Sequence, residues 1–208
     1  MSHGGCTCIV LAGGQSRRMG ANKAFLDIGG RPMIEWTLAG LNCPQRQVLI
    51  VTNTPEAYRY LGRRVATDLY PGRGVLGGLY TGLYYAETEL ALVVGCDMPF
   101  LNRALLDYQI SLAAGYDAVV LRVGDFFEPL HAVYTRSCLE PIRVALESEQ
   151  QRLMDFYGAV RVRYVERDEI ERFDPQHLSF VNVNTPADLE RVRRIAAEMP
   201  APVWPQPG

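Results

Sequence analysis

Two stretches of the chain contain no polar side chain, and they constrain the fold more than any other feature. Residues 8–12 read Cys-Ile-Val-Leu-Ala, and residues 90–94 read Leu-Ala-Leu-Val-Val. Strands that helices cover on both faces show such continuous apolar runs, whereas a strand with one face in water alternates. The two runs therefore predict central strands of a mainly parallel sheet.

Short apolar runs alternate along the whole chain with segments of helical spacing. They predict strands at residues 7–11, 48–52, 65–67, 90–95, 118–123, 132–134 and 160–165. This rhythm predicts a single α/β domain of Rossmann-like type, with helices on both faces of the sheet. We place the domain at residues 6–199, between a disordered start at residues 1–5 and a disordered, proline-rich tail at residues 200–208.

The last helix has the clearest boundary signals. Thr185 is expected to be its N-cap and Pro186 its first residue, and Asp188 adds negative charge to the first turn. Its apolar face comprises Leu189, Val192, Ile195, Ala196 and Met199.

Charge and composition exclude several classes of protein. The chain has 21 Lys and Arg against 23 Asp and Glu, a net charge of −2, which argues against general nucleic-acid binding. No apolar run approaches the roughly 20 residues that cross a bilayer, and the first residues lack the pattern of a secretory signal. Five scattered cysteines favour neither a disulfide framework nor a zinc site. We therefore expect a cytoplasmic protein that binds any anion locally.

The first apolar run leads into a loop with the composition of a phosphate-binding site. Residues 13–23 read GGQSRRMGANK, with three glycines, three cations and no acid. Glycines let backbone N–H groups approach an anion closely, and Arg and Lys supply charge. The spacing matches neither G-x-x-x-x-G-K-[ST] nor G-x-G-x-x-G. The alternative is a tight turn between strand and helix with solvated arginines.

Two carboxylates follow predicted strands directly. Asp97 comes just after the run at 90–95, where open α/β sheets bind their ligands, and it is a candidate for holding Mg²⁺. Asp68 occupies the equivalent position after residues 65–67. The alternatives are a turn cap for Asp97 and an exposed loop acid for Asp68. Residues 72–79 (GRGVLGGL) open a helix crowded with glycine, which indicates either a nucleotide lying on the helix or close packing of its backbone.

Five motifs in order resemble the molybdenum cofactor guanylyltransferases, a family within the nucleotide-diphospho-sugar transferase type of fold. They are LAGGQSRRMGANKAFLDIGGRPMIE (11–35), GVLGGLYTGL (74–83), VVGCDMPFL (93–101), EPLHAVY (128–134) and FVNVNTPADL (180–189), and the resemblance covers residues 8–195. The related cytidylyltransferases usually have an alanine in the first glycine pair and Gly-Asp-Gln-Pro at the metal strand. Gly13-Gly14 and residues 96–99 (CDMP) therefore favour the guanylyl branch.

The resemblance implies a role for each motif. Leu11, Ala12, Gly13 and Gly14 would contact the guanine nucleotide, with Asn53 and Asp68 at its nucleoside part. Lys23 would bind its phosphates, and Asp97 would hold Mg²⁺. Asn182 and Asn184 would lie near the pterin phosphate, although alone they would be interpreted as turn formers. The chain departs from the family at Asn22, usually Asp, and at Val75, usually Pro.

The implied reaction is attack by the terminal phosphate of the molybdopterin cofactor on the α-phosphorus of GTP. That nucleophile is already an anion, so no general base is needed, and His131 is expected to be a packed residue. Lys23 and Arg18, or Arg17, would stabilise the developing negative charge together with Mg²⁺ on Asp97.

Three other functions remain open at this stage. The first two are cytidylyl transfer to the same cofactor and nucleotidyl transfer to a sugar phosphate. The third is an inactive nucleotide-binding adaptor, against which the joint presence of Lys23, Asp68 and Asp97 argues. The cofactor would then pass to molybdoenzymes or their chaperones.

Overall fold

The computed structural model of the chain describes residues 5–13, 22–41, 47–148, 152–200 and 202–204. The strands are β1 (Cys6–Leu11), β2 (Asp27–Ile28), β3 (Arg31–Pro32), β4 (Gln47–Thr52), β5 (Arg64–Thr67), β6 (Leu90–Gly95), β7 (Ala118–Val123), β8 (Phe126–Thr135) and β9 (Val162–Val165). The helices are α1 (Met33–Leu41), α2 (Gly74–Tyr85), α3 (Arg103–Ser111), α4 (Leu139–Glu147), α5 (Arg167–Glu171) and α6 (Pro186–Glu198).

Within the described ranges, seven strands form one sheet in the order β5-β4-β1-β6-β8-β7-β9, and β2 pairs with β3 in a small hairpin. The pairs β1–β4, β1–β6, β4–β5 and β7–β9 are parallel, while β8 runs antiparallel to β6 and β7. The predicted mainly parallel sheet is confirmed, with the two fully apolar runs in its interior strands β1 and β6.

Each face of the sheet carries its own apolar layer, as the alternation of side chains along a strand requires. Val10 packs with Leu38 of α1 and Leu105 of α3 on one face. Ile9 packs with Leu79 of α2 on the other face. The prediction of helices on both faces is therefore confirmed.

The structure differs from the prediction mainly at β8. The apolar pattern predicted a strand at 132–134, but β8 is a ten-residue strand, Phe126–Thr135. Its amino half was missed because Glu128 and Pro129 interrupt the apolar run. The pairing also shifts there, from Val120 opposite Ala132 to Leu121 opposite Glu128, which leaves three extra residues in β8. Strand β9 begins at Val162, two residues later than predicted.

Helix α6 begins as predicted. Thr185 is the N-cap, Pro186 is the first helical residue, and Thr185 and Asp188 form a capping box in which each side chain accepts from the other's backbone N–H. In the described parts of the chain, no helix combines the length and apolar character needed to cross a membrane.

Part of the segment predicted to be a disordered tail contacts the domain. The ring of Trp204 meets Trp36 edge to face, with 5.1 Å between ring centroids. The Arg31 guanidinium lies 4.4 Å above the same ring. Residues 1–4, 201 and 205–208 lie outside the described residues.

Candidate active site

The carboxyl ends of β1, β4 and β6 open into a cavity of about 470 Å³. It is large enough for a nucleotide-sized ligand, because small-molecule sites typically occupy about 300–1,000 Å³. Of the residues predicted to bind nucleotide, the following line it: Leu11, Ala12, Gly13, Lys23, Asn53, Asp68 and Asp97. Two other predicted residues, Gly14 and Arg18, lie outside the described residues, as does Arg17.

The backbone at the end of β1 is held tightly by its neighbours. The carbonyl of Leu11 accepts from Cys96 N at 3.1 Å, and Ala12 N donates to Val51 O at 2.8 Å. The carbonyl of Ala12 accepts from the hydroxyls of Thr52 at 3.1 Å and Tyr58 at 3.2 Å. Leu11 and Ala12 line the cavity, so a ligand there would contact backbone that these hydrogen bonds hold in place.

Lys23 enters the site from a 3₁₀ helix, Lys23–Phe25, whose N-cap is Asn22. The Asn22 side chain accepts from Ala24 N at 3.1 Å and donates to the Tyr58 hydroxyl at 3.0 Å. The ammonium of Lys23 donates to Oδ1 of Asn184 at 2.7 Å and lies 3.9 Å from Oδ2 of Asp97. Groups from three motifs far apart in the sequence therefore meet at one point.

Asp97 lies two residues after the end of β6, and its carboxylate folds back over the strand end. A Cβ atom added at Gly95 would lie only 2.5 Å from its Oδ1, so a larger residue there would displace the carboxylate from this position. Burial raises the pKa of Asp97, and the nearby Lys23 offsets part of that shift. The backbone carbonyl of Asp97 accepts from Val183 N at 3.2 Å, which joins the last motif to the centre of the sheet.

Asp68 and Asn53 line the opposite end of the cavity. Oδ1 of Asp68 accepts from Tyr70 N at 3.0 Å and lies 2.9 Å from the Thr81 hydroxyl, so this carboxylate also shapes the turn after β5. Asn53 lies beside Gly13, and a Cβ added at Gly13 would be 3.7 Å from Asn53 Nδ2. The two ends of the cavity thus present different chemistry, an amide and a carboxylate at one end and the Lys23–Asp97 group at the other.

The glycines of α2 have two different explanations. An added Cβ would lie 2.8 Å from Tyr70 O at Gly77 and 2.6 Å from Ile9 Cγ2 at Gly82, so close packing accounts for these two. Gly74 and Gly78 instead line the cavity. Close packing therefore explains part of the glycine content of this helix, and contact with a nucleotide stays a prediction for Gly74 and Gly78.

Glu128 begins the fourth motif of the sequence analysis, which gave it no individual role, and it lies next to the predicted site residue Asn182. Its Oε2 accepts from Asn182 Nδ2 at 3.4 Å and its Oε1 accepts from Leu130 N at 3.4 Å. Burial raises the pKa of Glu128, and the charge of Asp97 adds to the shift. An acid that interrupts an apolar run just before a proline was the available signal.

His131 is a packed residue, as expected. It is fully buried, its Nδ1 lies 2.8 Å from Oε1 of Gln109, and its own carbonyl accepts from Gln109 Nε2 at 2.8 Å. Burial lowers the pKa of His131 to about 4, so the ring is neutral at physiological pH.

An α/β sheet whose central strands end at a nucleotide-sized cavity, with a lysine and a carboxylate at one end, has the arrangement of an enzyme that transfers nucleotidyl groups. The family model described as the MobA-like NTP transferase domain matches residues 8–165, so the chain is a nucleotidyltransferase. Comparison with individual relatives narrows this class.

Two relatives match almost their whole length. A probable molybdenum cofactor guanylyltransferase of Pelotomaculum thermopropionicum is 39% identical over 91% of this chain and 93% of its own. The molybdenum cofactor guanylyltransferase of Desulfosudis oleivorans is 38% identical over 89% and 93%. The chain belongs to the molybdenum cofactor guanylyltransferase family.

A solved structure agrees with this assignment. Molybdopterin-guanine dinucleotide biosynthesis protein A from Archaeoglobus fulgidus superposes with a TM-score of 0.82 at 28% identity, covering 93% of this chain and 100% of that one. The nucleotide-diphospho-sugar transferase type of fold is confirmed.

Proposed function

We propose that this protein transfers GMP from GTP to the terminal phosphate of the molybdenum-molybdopterin cofactor, with release of pyrophosphate. One observation carries the proposal: Lys23, Asp97 and Asn184 converge at the end of the cavity next to Asn182 and Glu128. A cation, a buried carboxylate and paired asparagines at one point suit the junction of two phosphorylated substrates.

GTP would occupy the cavity with its base and ribose near Asn53 and Asp68 and its phosphates near Lys23. Gly13 is the strand-end residue whose backbone groups make no hydrogen bond to another described residue. Those groups are therefore the natural partners for the polar edge of guanine. The carbonyls of Leu11 and Ala12 would set the shape of the pocket, because neighbouring residues already hold them.

The chemistry requires charge neutralisation and positioning, with no proton transfer by a side chain. A bond forms between an oxygen of the acceptor phosphate and the α-phosphorus of GTP. The bond from that phosphorus to the bridging oxygen breaks, and pyrophosphate leaves with the electron pair. Lys23 stabilises the negative charge on the phosphates. His131 takes no part, because it is buried in the core and neutral.

Asp97 is the residue that would hold Mg²⁺. Its carboxylate is mostly buried, with the side chain 25% exposed, and the Lys23 ammonium lies at 3.9 Å, beyond hydrogen-bond distance. A hard oxygen donor of this kind suits Mg²⁺, which uses one or two protein carboxylates and completes its shell with water and phosphate. When bound, the ion would add positive charge at the phosphate oxygens. The role of Arg18 beside Lys23 stays a prediction, as do the cytoplasmic location and the transfer of product to molybdoenzymes or their chaperones.

A comparison of nucleotides tests the proposal. Mg·GTP, Mg·ATP, Mg·CTP and Mg·UTP are titrated calorimetrically, and dinucleotide formation on molybdopterin is measured with each. We expect GTP to be preferred about a hundredfold, because each buried polar group that the wrong base leaves unpaired costs about 1–3 kcal/mol. A preference for CTP would make the protein a cytidylyltransferase. Tight nucleotide binding without formation of a dinucleotide from any of the four nucleotides would favour the inactive nucleotide-binding adaptor.

A further inference from the structure

Strand β8 neighbours β6 on the side opposite to β1. It runs antiparallel to β6, and Val94 pairs with His131 near the carboxyl end of β6. Residues 126–129 therefore extend past the end of β6, next to Asp97. The sheet order places β1 and β4 on the other side of β6, below the cavity. The amino half of β8 thus lies where a second substrate would approach Asp97.

The irregularity in β8 directs two side chains toward the centre. Because three extra residues lie between Glu128 and Ala132, the strand changes which side chains it presents. Leu130 reaches the wall of the nucleotide cavity, and Glu128 contacts Asn182. Bulges of this kind commonly turn side chains toward active sites.

The carboxylate of Glu128 makes only weak hydrogen bonds with the described parts of the protein. Its two hydrogen bonds, from Leu130 N and Asn182 Nδ2, are both long at 3.4 Å. In the described parts of the chain, no Lys, Arg or His forms a salt bridge with it. Oδ1 of Asn182 is itself buried without a hydrogen-bond partner among these residues. A buried polar atom without a partner destabilises a fold, so the free Asn182 oxygen favours a contact with a ligand.

Phe126 lies on the same face of β8 as Glu128. The two residues are two positions apart, so their Cα atoms are about 7 Å apart along the strand. Phe126 is 81% exposed and pairs with Val123 across a two-residue turn in which Gly124 has a φ of +61°. An almost fully exposed aromatic ring therefore projects near the tip of the β7–β8 hairpin, one step outward from Glu128.

We propose that residues 126–128 form the acceptor subsite, in which Phe126 stacks against a flat heteroaromatic ring and Glu128 positions Asn182 beside the acceptor phosphate. This proposal rests on the proposed function, which requires a planar pterin joined to a phosphate. Stacking on an exposed aromatic side chain recognises any planar ring through its face. The Asn182 amide, held by Glu128, keeps its unpartnered oxygen at the junction with Asp97.

The first experiment measures kinetics and binding for F126A and F126W. A control, Y116A, removes an exposed aromatic residue just before β7, at the opposite end of that strand from Phe126. We expect F126A to raise the KM for the acceptor about tenfold, within the range known for loss of one stacking contact, with the KM for GTP unchanged. F126W and Y116A should resemble the parent. An unchanged KM for the acceptor in F126A, or an equal rise in KM for the acceptor and GTP, would overturn the proposal that Phe126 stacks against the acceptor.

Equilibrium binding keeps this test independent of turnover. A 6-substituted pterin phosphate is titrated into parent and F126A, with its own fluorescence as the signal. Weaker binding of the pterin phosphate to F126A than to the parent supports the subsite, whether or not the parent transfers a nucleotide. Absence of nucleotidyl transfer by the parent would refute the proposed function and not the subsite. Equal affinity for the two proteins, or no binding to the parent, overturns the subsite.

The second experiment separates positioning by Glu128 from a merely structural role. E128Q keeps an oxygen that accepts from the Asn182 amide, whereas E128A does not. We expect E128Q to retain most of the activity and E128A to lose about tenfold in kcat/KM for the acceptor, with GTP affinity unchanged. In the N182A background, E128A should cause no further loss. Additive losses, or loss of GTP affinity in E128A, would show that Glu128 does not act through Asn182.

Discussion

Asp97 shows how a single residue can oppose folding while serving the site. Burial raises its pKa, so the folded protein holds the proton more tightly than the unfolded chain does. Its contribution to stability is therefore fully present below the ordinary aspartate pKa, near 3.9, and is lost as the pH rises through the higher folded value. At neutral pH the charged side chain destabilises the fold.

We accordingly expect D97N to abolish nucleotidyl transfer while raising the melting temperature at pH 7 in the absence of Mg²⁺. The gap between variant and parent should narrow as the pH falls toward 4, because both side chains are then neutral. Thermal denaturation at a series of pH values measures this. A variant less stable than the parent at pH 7 would mean that Asp97 is chiefly an ion-pair partner of Lys23.

Tyr58 holds together two segments of the chain that line the cavity. It is fully buried, donates to the carbonyl of Ala12 and accepts from Asn22, so one hydroxyl joins the end of β1 to the residue before Lys23. The Asn22 amide can donate this bond, whereas a carboxylate at this position could not.

Y58F should lower the free energy of unfolding by about 1 kcal/mol, the usual value of one hydrogen bond, and weaken GTP binding about fivefold. Chemical denaturation and calorimetry measure the two effects. Y84F, which alters a half-exposed tyrosine on α2, is the control and should change neither. Unchanged GTP affinity in Y58F would show that this hydroxyl supports only the core.

The sequence could locate residues of the site only where local position was informative. Asp68 and Asp97 were selected because they closely follow apolar runs, and parallel strands bring their carboxyl ends together; Lys23 was selected because it ends a glycine-rich loop of cations. Tyr58 and Glu128 escaped selection because their partners are 46 and 54 residues away. Contacts of that range depend on how elements pack, which residue type and spacing do not encode.

At the scale of elements, the central parallel strands were predicted within one or two residues, and β8 was not. A buried parallel strand is apolar throughout, so its limits are visible in the sequence. The amino half of β8 lies at the edge of the site and carries Glu128 and Pro129, which obscure the strand pattern. The prediction failed where the strand serves the site as well as the core.

Helix α2 offers a matched pair of substitutions. A Cβ at Gly82 would lie 2.6 Å from the Ile9 side chain, whereas at Gly78 it would make ordinary contact with Leu11 at 3.6 Å. We expect G82A to destabilise the protein by about 1–3 kcal/mol through overpacking. G78A should be neutral or stabilising by up to about 1 kcal/mol through helix propensity, but should weaken GTP binding because Gly78 lines the cavity.

Denaturation and GTP titration of both variants check this. Loss of stability in G78A, or normal stability in G82A, would contradict the separation of packing glycines from cavity glycines.

At the scale of the whole molecule, the order of strands would keep the two proposed substrates apart. Strands β4 and β1 lie below the cavity, β6 supplies Asp97 at the centre, and β8 lies on the side where we propose that the acceptor binds. With a net charge of −2, the protein has no overall attraction for nucleotides, so phosphate binding must come from groups at this centre. Lys23 is the cation that the described residues place there.

Ligand binding at this centre should stabilise the entire domain, because the cavity is built from three central strands and α2. Mg·GTP at a hundred times its Kd should raise the free energy of unfolding by about 2.7 kcal/mol. K23A should melt near the parent temperature without nucleotide, since a partly exposed ion pair contributes little. At the same GTP concentration its stabilisation should be clearly smaller, because the phosphates lose their nearest positive charge. Thermal shift assays measure both quantities, and an equal shift in K23A and parent would remove Lys23 from the phosphate site.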